Sequence, residues 1–158
     1  MSLCFRVFPL DDSPGFVIYR TAAKLKAELT RAFQADGYDV TPEQWAVLSR
    51  LWESEGDHQT ALAERSAKDR HNMTRILNLL ERNSLIRRQP DPGDKRYQRI
   101  FLTDAGKALK EKLIPIVRNH LQKALNGLTQ QDLCELKRIH EKIEGNLSLI
   151  GSRDKQAD

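Results

Sequence analysis

Residues 69–106, DRHNMTRILNLLERNSLIRRQPDPGDKRYQRIFLTDAG, are the stretch on which the fold turns. The hydrophobic period changes partway along it. Met73, Ile76, Leu77 and Leu80 recur at helical spacing, so a helix is predicted over about 69–83 with those four side chains inward. Its other face carries Arg70, His71, Asn72, Thr74, Arg75 and Asn78. From Leu85 the pattern becomes that of short strands. Residues 85–89 and 97–102 flank Pro90-Asp91-Pro92-Gly93-Asp94-Lys95-Arg96, which is dense in turn formers. That predicts a β-hairpin with a charged tip.

Working outward, a short helix is expected over 58–66, with Leu62 and Ala63 inward. Before it, Thr41-Pro42-Glu43-Gln44 is a helix start. Thr41 is the N-cap, Pro42 takes the first helical position and Gln44 completes a capping box. Trp45, Leu48, Leu51 and Trp52 give that helix an apolar face, and Gly56-Asp57 ends it. Residues 16–35 read as a helix with Ile18, Ala22, Leu25, Leu29 and Ala32 or Phe33 on one side. Residues 1–15 read as an extended arm bearing Leu3, Phe5 and Val7, closed by Pro14-Gly15. Downstream, Thr103 caps a long helix over 104–126, lined by Leu109, Leu113, Ile116 or Val117, Leu121 and Leu125 and kinked at Pro115. Thr129 caps a last helix. On it Leu136, Ile139, Ile143, Leu147 and Ile150 repeat about every 3.5 residues, a seam suited to a partner helix, although packing within the monomer is an alternative. Residues 151–158 read as a polar, flexible tail.

The fold class is therefore mainly α with a small β-hairpin wing, a winged helix-turn-helix, and the chain is read as one compact domain overall. The winged helix-turn-helix takes residues 41–103. B-DNA's major groove admits one helix, and the second helix of the pair presents polar side chains there. A hairpin beside it places a basic tip on the flanking backbone or in the minor groove, where arginine suits the enhanced negative potential. Charge agrees. The 158-residue chain has net charge +4, yet residues 65–99 alone hold ten basic residues against four acidic ones, leaving the remainder at −2. A concentrated basic stretch is expected to face a polyanion, a solvated basic face being the alternative.

Other classes find little support. The two cysteines, Cys4 and Cys134, suit neither a disulfide framework nor a zinc site, and the four histidines form no ligand pair. No metal and no cofactor is expected. No Ser/His/Asp arrangement, phosphate loop or paired-carboxylate motif points to an enzyme. No apolar run approaches the ~20 residues of a membrane span, and the first residues lack the features of a signal peptide, so a cytoplasmic protein is expected.

The motifs resemble those of MarR regulators. Residues 69–75 with Leu80-Glu81-Arg82-Asn83-Ser84-Leu85-Ile86 are similar to that family's recognition helix and first strand. Asp94-Lys95-Arg96 with Leu102-Thr103-Asp104-Ala105-Gly106 is similar to its wing signature, an Asp-x-Arg tip followed by Leu-Thr-x-x-Gly. Gln44-Trp45 and residues 59–65 also fit, so the resemblance spans about 16–150. It implies a homodimer built from residues 16–40 and 104–150, with one winged motif per subunit. Such a dimer reads a pseudo-palindromic duplex whose half-sites lie ~10 bp apart. It also implies a repressor released when a small aromatic or phenolic molecule binds.

Within that frame, one or two base contacts are expected among Arg70, His71 and Asn72, with Asn72 on an adenine edge and Arg70 or Arg75 on guanine. Phosphate contact alone is the alternative for Asn72 and Thr74, and a tie to a neighbouring carboxylate is the alternative for Arg75. Arg96 is the wing's minor-groove residue, oriented by Asp94, with Lys95 beside it at the tip; a plain turn residue after Gly93 is the alternative for Asp94. Phe16, Tyr19, Arg20 and Trp45 are candidate lining residues for an effector, core packing being the alternative. A redox-sensing branch of the family uses a cysteine at the start of the first helix. Here Gly15 falls at that position, Cys4 lies eleven residues earlier, and Cys134 is expected to pack as a small hydrophobe. A winged-helix module for protein interaction is a further alternative. His58 stands where the family often has a capping threonine, and Asp57 is expected to cap instead.

Overall fold

The structure, a computed structural model, describes residues 9–154. The arm's Leu3, Cys4, Phe5 and Val7, and the last four residues of the expected tail, lie outside the described residues. Among the described residues a single 3-10 turn, Leu10–Asp12, precedes six helices and one hairpin: α1 (Pro14–Ala35), α2 (Pro42–Glu53), α3 (Gln59–Arg65), α4 (Arg70–Arg82), β1 (Ile86–Pro90), β2 (Gln98–Leu102), α5 (Asp104–Ala124) and α6 (Gln130–Asp154). The chain divides into two compact units, one up to Leu121 and one from Gln122.

The start of α1 differs from the sequence expectation. Pro14 opens the helix behind Ser13 as N-cap, where it was expected to close an arm. Proline is well placed there because its missing N–H would have no partner in the first turn. At α2 the capping box is present as expected: Gln44 N donates to Thr41 Oγ1 at 3.2 Å and Thr41 N donates to Gln44 Oε1 at 2.8 Å.

The first unit is organised around two apolar clusters. In the larger, Val47, Leu48 and Leu51 of α2 meet Leu62 and Ala63 of α3, Met73, Ile76, Leu77 and Leu80 of α4, and Ile86, Ile100 and Leu102 of the hairpin. All four inward residues expected on α4 are buried. The smaller cluster joins Phe33, Val40 and Leu113, with Trp45 and Trp52 packed against it. Trp52 Nε1 donates to the Gly106 carbonyl at 2.9 Å, tying α2 to α5. The strands pair antiparallel with Ile86 opposite Leu102 and Pro90 opposite Gln98. Thr103 caps α5 as expected, accepting from Gly106 N at 3.0 Å, and its own hydroxyl donates to Ser84 O at 2.6 Å. Gly106 has no room for a side chain: a Cβ would stand 2.0 Å from the Leu85 carbonyl oxygen.

Two helix ends were invisible in the sequence. Both α3 and α4 close with a residue in the left-handed region, Ala67 (φ 49°) and Ser84 (φ 57°), where glycine is usual. In each the hydrogen-bond pattern is that of a Schellman end: Lys68 N to Ala63 O at 2.9 Å, and Leu85 N to Leu80 O at 2.9 Å. These bonds make up for the steric cost of a Cβ there, ~1 kcal/mol.

In the second unit, Thr129 and Asp132 cap α6 reciprocally, Thr129 N donating at 2.8 Å and Asp132 N returning a bond at 3.2 Å. The helix reaches Asp154, four residues into the stretch expected as a tail. Its seam is largely exposed, with Leu136, Ile139, Leu147 and Ile150 between 42% and 60% accessible. Cys134 is exposed as well, correcting the expectation that it packs as a small hydrophobe; it lies off the seam, with Gln130 Nε2 3.8 Å from its sulfur. Among the described residues no helix is long and apolar enough to cross a membrane, and no cluster of His, Cys, Asp or Glu is arranged to hold a metal ion.

Candidate nucleic-acid interface

The first turn of α4 is built by its N-cap. Asp69 Oδ1 accepts from Asn72 N at 2.9 Å, and Asn72 Nδ2 donates to Asp69 Oδ2. These bonds hold the Asp69 carboxyl below the usual carboxylate range, so it stays ionised at a helix N-terminus, where negative charge is favoured. One edge of the Asn72 amide is thus occupied, while its carbonyl oxygen has no partner among the described residues. Thr74 is engaged too. Its hydroxyl donates to the Arg70 carbonyl at 2.9 Å and accepts from Gln59 Nε2 at 2.7 Å, bridging α4 to α3. Arg70, His71, Asn72, Thr74 and Arg75 are all exposed. Arg75 makes no ion pair among the described residues, so the carboxylate tie considered for it is absent.

The wing is held differently. Asp91, nearly buried at 7% exposure, accepts from Gly93 N at 2.7 Å and Asp94 N at 3.2 Å, which shapes the turn. Arg99 Nε donates to its other oxygen. The Arg99 bond first, then the Gly93 and Asp94 amides, bring the Asp91 carboxyl down to about 2. Asp94 in turn clamps Arg96: Nε lies 3.0 Å from both carboxylate oxygens and Nη2 2.6 Å from Oδ2. This pairing lowers the Asp94 carboxyl and raises the Arg96 guanidinium from its ordinary value. The orienting role expected of Asp94 thus has a matching geometry. The Arg96 side chain is still 85% exposed, and Lys95 beside it is exposed as well.

Recognition helix and wing border one cleft of about 310 Å³. Arg70, Arg88 and Arg96 line it together with His58, Gln59 and Tyr97. Arg88, which sequence reasoning did not single out, is positioned by Glu81 and by Asn78 Oδ1 at 2.8 Å. His58 is the N-cap of α3 without a side-chain cap bond, and Asp57 does not replace it, because its carboxylate receives Arg65. Asp91 and Arg99 were also missed, and His58 was read only for its capping position. The one available signal was Asp91 two residues before Gly93, the spacing at which an aspartate side chain closes a turn on its own backbone.

The candidate effector residues are only partly brought together. Phe16 and Tyr19 have ring centroids 6.3 Å apart on α1, and the Arg20 guanidinium lies 5.7 Å from the Phe16 centroid while bonded to Asp11 at 3.0 Å. Trp45 packs elsewhere, 6.2 Å from Phe33 and 5.4 Å from Trp52 in the smaller core cluster. Gly15 lies in the first turn of α1, so that turn presents no thiol.

Known proteins share this arrangement. The sequence profile of the MarR family matches residues 40–97, the winged helix-turn-helix up to the wing tip. The chain is 30% identical over 112 residues to the transcriptional regulator HosA of Escherichia coli O111:H-, covering 69% of this chain and 83% of that one. It is 31% identical over 134 residues to the HTH-type transcriptional regulator TtmR of Methylorubrum extorquens, covering 85% of this chain but 65% of that longer protein. Among solved structures it superposes with TM-score 0.75 on a mutant of MarR from E. coli complexed with operator DNA, at 25% identity, covering 82% of this chain and 91% of that one. The chain therefore belongs to the MarR family and is a transcriptional regulator rather than an enzyme.

Proposed function

We propose that this regulator binds a specific, pseudo-palindromic double-stranded DNA site as a homodimer and acts as a repressor released by a small aromatic or phenolic ligand. The observation that carries the DNA reading is the shared cleft: Arg70 in the first turn of α4 and the exposed Arg96 of the wing border the same concave surface. Arg70, His71 and Asn72 supply base contacts, with Arg75 one turn further along. Thr74, already bonded to Gln59, is better suited to holding α3 against α4. Asp94, Lys95 and Arg96 place the wing on the flanking backbone or minor groove.

The two-fold partner is a second copy of the chain. Residues 16–40 and 104–150 form the dimerisation region, and the exposed seam on α6 supports this, because an apolar stripe of that length is seldom left in water. Effector binding is assigned to the neighbourhood of Phe16, Tyr19 and Arg20, where an organic anion displaces Asp11 from Arg20; Trp45 belongs to the smaller core cluster instead. Release of DNA then measures the difference in effector affinity between the DNA-bound and free dimers.

The test is selection of duplexes from a random-sequence pool, followed by titration of the winner at several salt concentrations. A dimer enriching one two-fold symmetric sequence is the expected result. Equal, weak binding to every duplex, lost steeply with salt, overturns the specific-regulator reading.

A further inference from the structure

We propose that Asp91 is a positioning residue that sets the spacing between the wing's Arg96 and the recognition helix, acting through His58 and Arg99 at the wing's root. The proposal rests on the DNA-binding reading above and assigns it an internal strut.

The geometry begins at the backbone. Residues 56–58 run beside β2 like a short third strand: Gly56 N donates to Ile100 O at 2.8 Å, Ile100 N donates to Asp57 O at 3.0 Å, and His58 bridges to Arg99. The loop before α3 is therefore part of the wing's foundation. Asp91 closes the opposite side. It ends the run from β1, receives Arg99 Nε from β2, and lies 3.3 Å from His58 Nε2. The His58 ring also packs edge-on against Tyr97, centroids 5.6 Å apart at 67°. Three separate pieces of chain thus converge on one nearly buried carboxylate.

From there polar contacts run both ways. Toward the tip, Asp91 Oδ1 accepts the amide of Asp94, whose carboxylate clamps Arg96. Toward the groove-facing helix, His58 is followed by Gln59, which donates to Thr74 of α4. An isosteric amide at 91 keeps the size but loses the charge that holds Arg99 and draws His58, so the wing stays folded while its tip is less fixed relative to α4. A contiguous path of contacts does not by itself establish coupling, so the test is a thermodynamic cycle.

The full-length wild type, Asp91→Asn, Arg96→Ala and the double variant are titrated against the duplex selected by the wild type, and each complex is footprinted. D91N is expected to weaken binding about tenfold, the scale of one lost directional contact. Protection is expected to fade at the flanks under the wing and persist at the centre under α4. The double variant is expected within about twofold of R96A alone, because the strut acts through that arginine. Multiplying losses, unchanged affinity in D91N, or uniform fading of the footprint overturns the proposal. If D91N does not fold by circular dichroism, Arg99→Gln, which leaves the amide bonds to Asp91 in place, carries the same cycle. Failure of the wild type to select any sequence falls on the DNA-binding reading, whereas selection by the wild type with additive losses falls on the strut alone.

Discussion

The recognition helix and the wing carry the same kind of cation in opposite conditions. On α4, Arg70 and Arg75 are exposed with no carboxylate partner among the described residues. In and beside the hairpin, Arg88, Arg96 and Arg99 each sit on a carboxylate. The charge surplus over residues 65–99 is thus divided, one part paired with the protein's own carboxylates and the other left unpaired among the described residues. A free arginine loses rotamer freedom when it binds, whereas a clamped one has already been ordered by folding. The Asp94 clamp engages Nε and Nη2 of Arg96 and leaves Nη1 for an outside acceptor. In the proposed interface the wing is therefore a preset contact, and α4 an adaptable one.

This contrast is broken most severely at its clamped end. Arg96→Ala is expected to weaken binding to the selected duplex by about 10- to 100-fold, with the dimer intact by sedimentation. Unchanged affinity would remove the wing from the interface. On the adaptable side, Asn72→Ala is expected to relax preference at one base pair in each half-site by about fivefold, read by titrating single-base variants of the site. A uniform loss over all variants assigns Asn72 to phosphate. The smallest effect sharpens the comparison by touching neither set of cations. Ala67→Gly relieves the left-handed residue between α3 and α4 and is expected to raise stability by about 0.5–1 kcal/mol, measured by thermal or urea unfolding, with binding unchanged. A destabilised variant would show that the loop needs alanine's stiffness more than glycine's freedom.

Patterns that depend on local sequence were legible. The capping box at Thr41 and Gln44 and the inward set of α4 follow from spacing and side-chain chemistry alone, and both are present. So is the apolar stripe of α6, whose exposure supports a partner. What could not be read depends on distant chain. Asp91 is an ordinary turn aspartate until β2 brings Arg99 to it, and Thr74 belongs to an outward face until Gln59 claims its hydroxyl. Trp45 sits at helical spacing among candidate pocket residues, yet Phe33 and Trp52 draw it into the core. The ends at Ala67 and Ser84 escaped because the residue that normally announces such a turn, glycine, is missing from both.

Gly106 has a mechanical consequence. The hairpin's foot and the start of α5 are separated by the width of a hydrogen atom, since a methyl group at 106 would meet the Leu85 oxygen at 2.0 Å where ordinary contacts begin beyond 3.0 Å. A joint with so little clearance has almost no backlash. A side chain at 106 would push the foot of β1 away from the first turn of α5, and the hairpin's root would shift with it. In engineering terms, the missing side chain at 106 is the clearance that lets α5 and the wing be fitted flush.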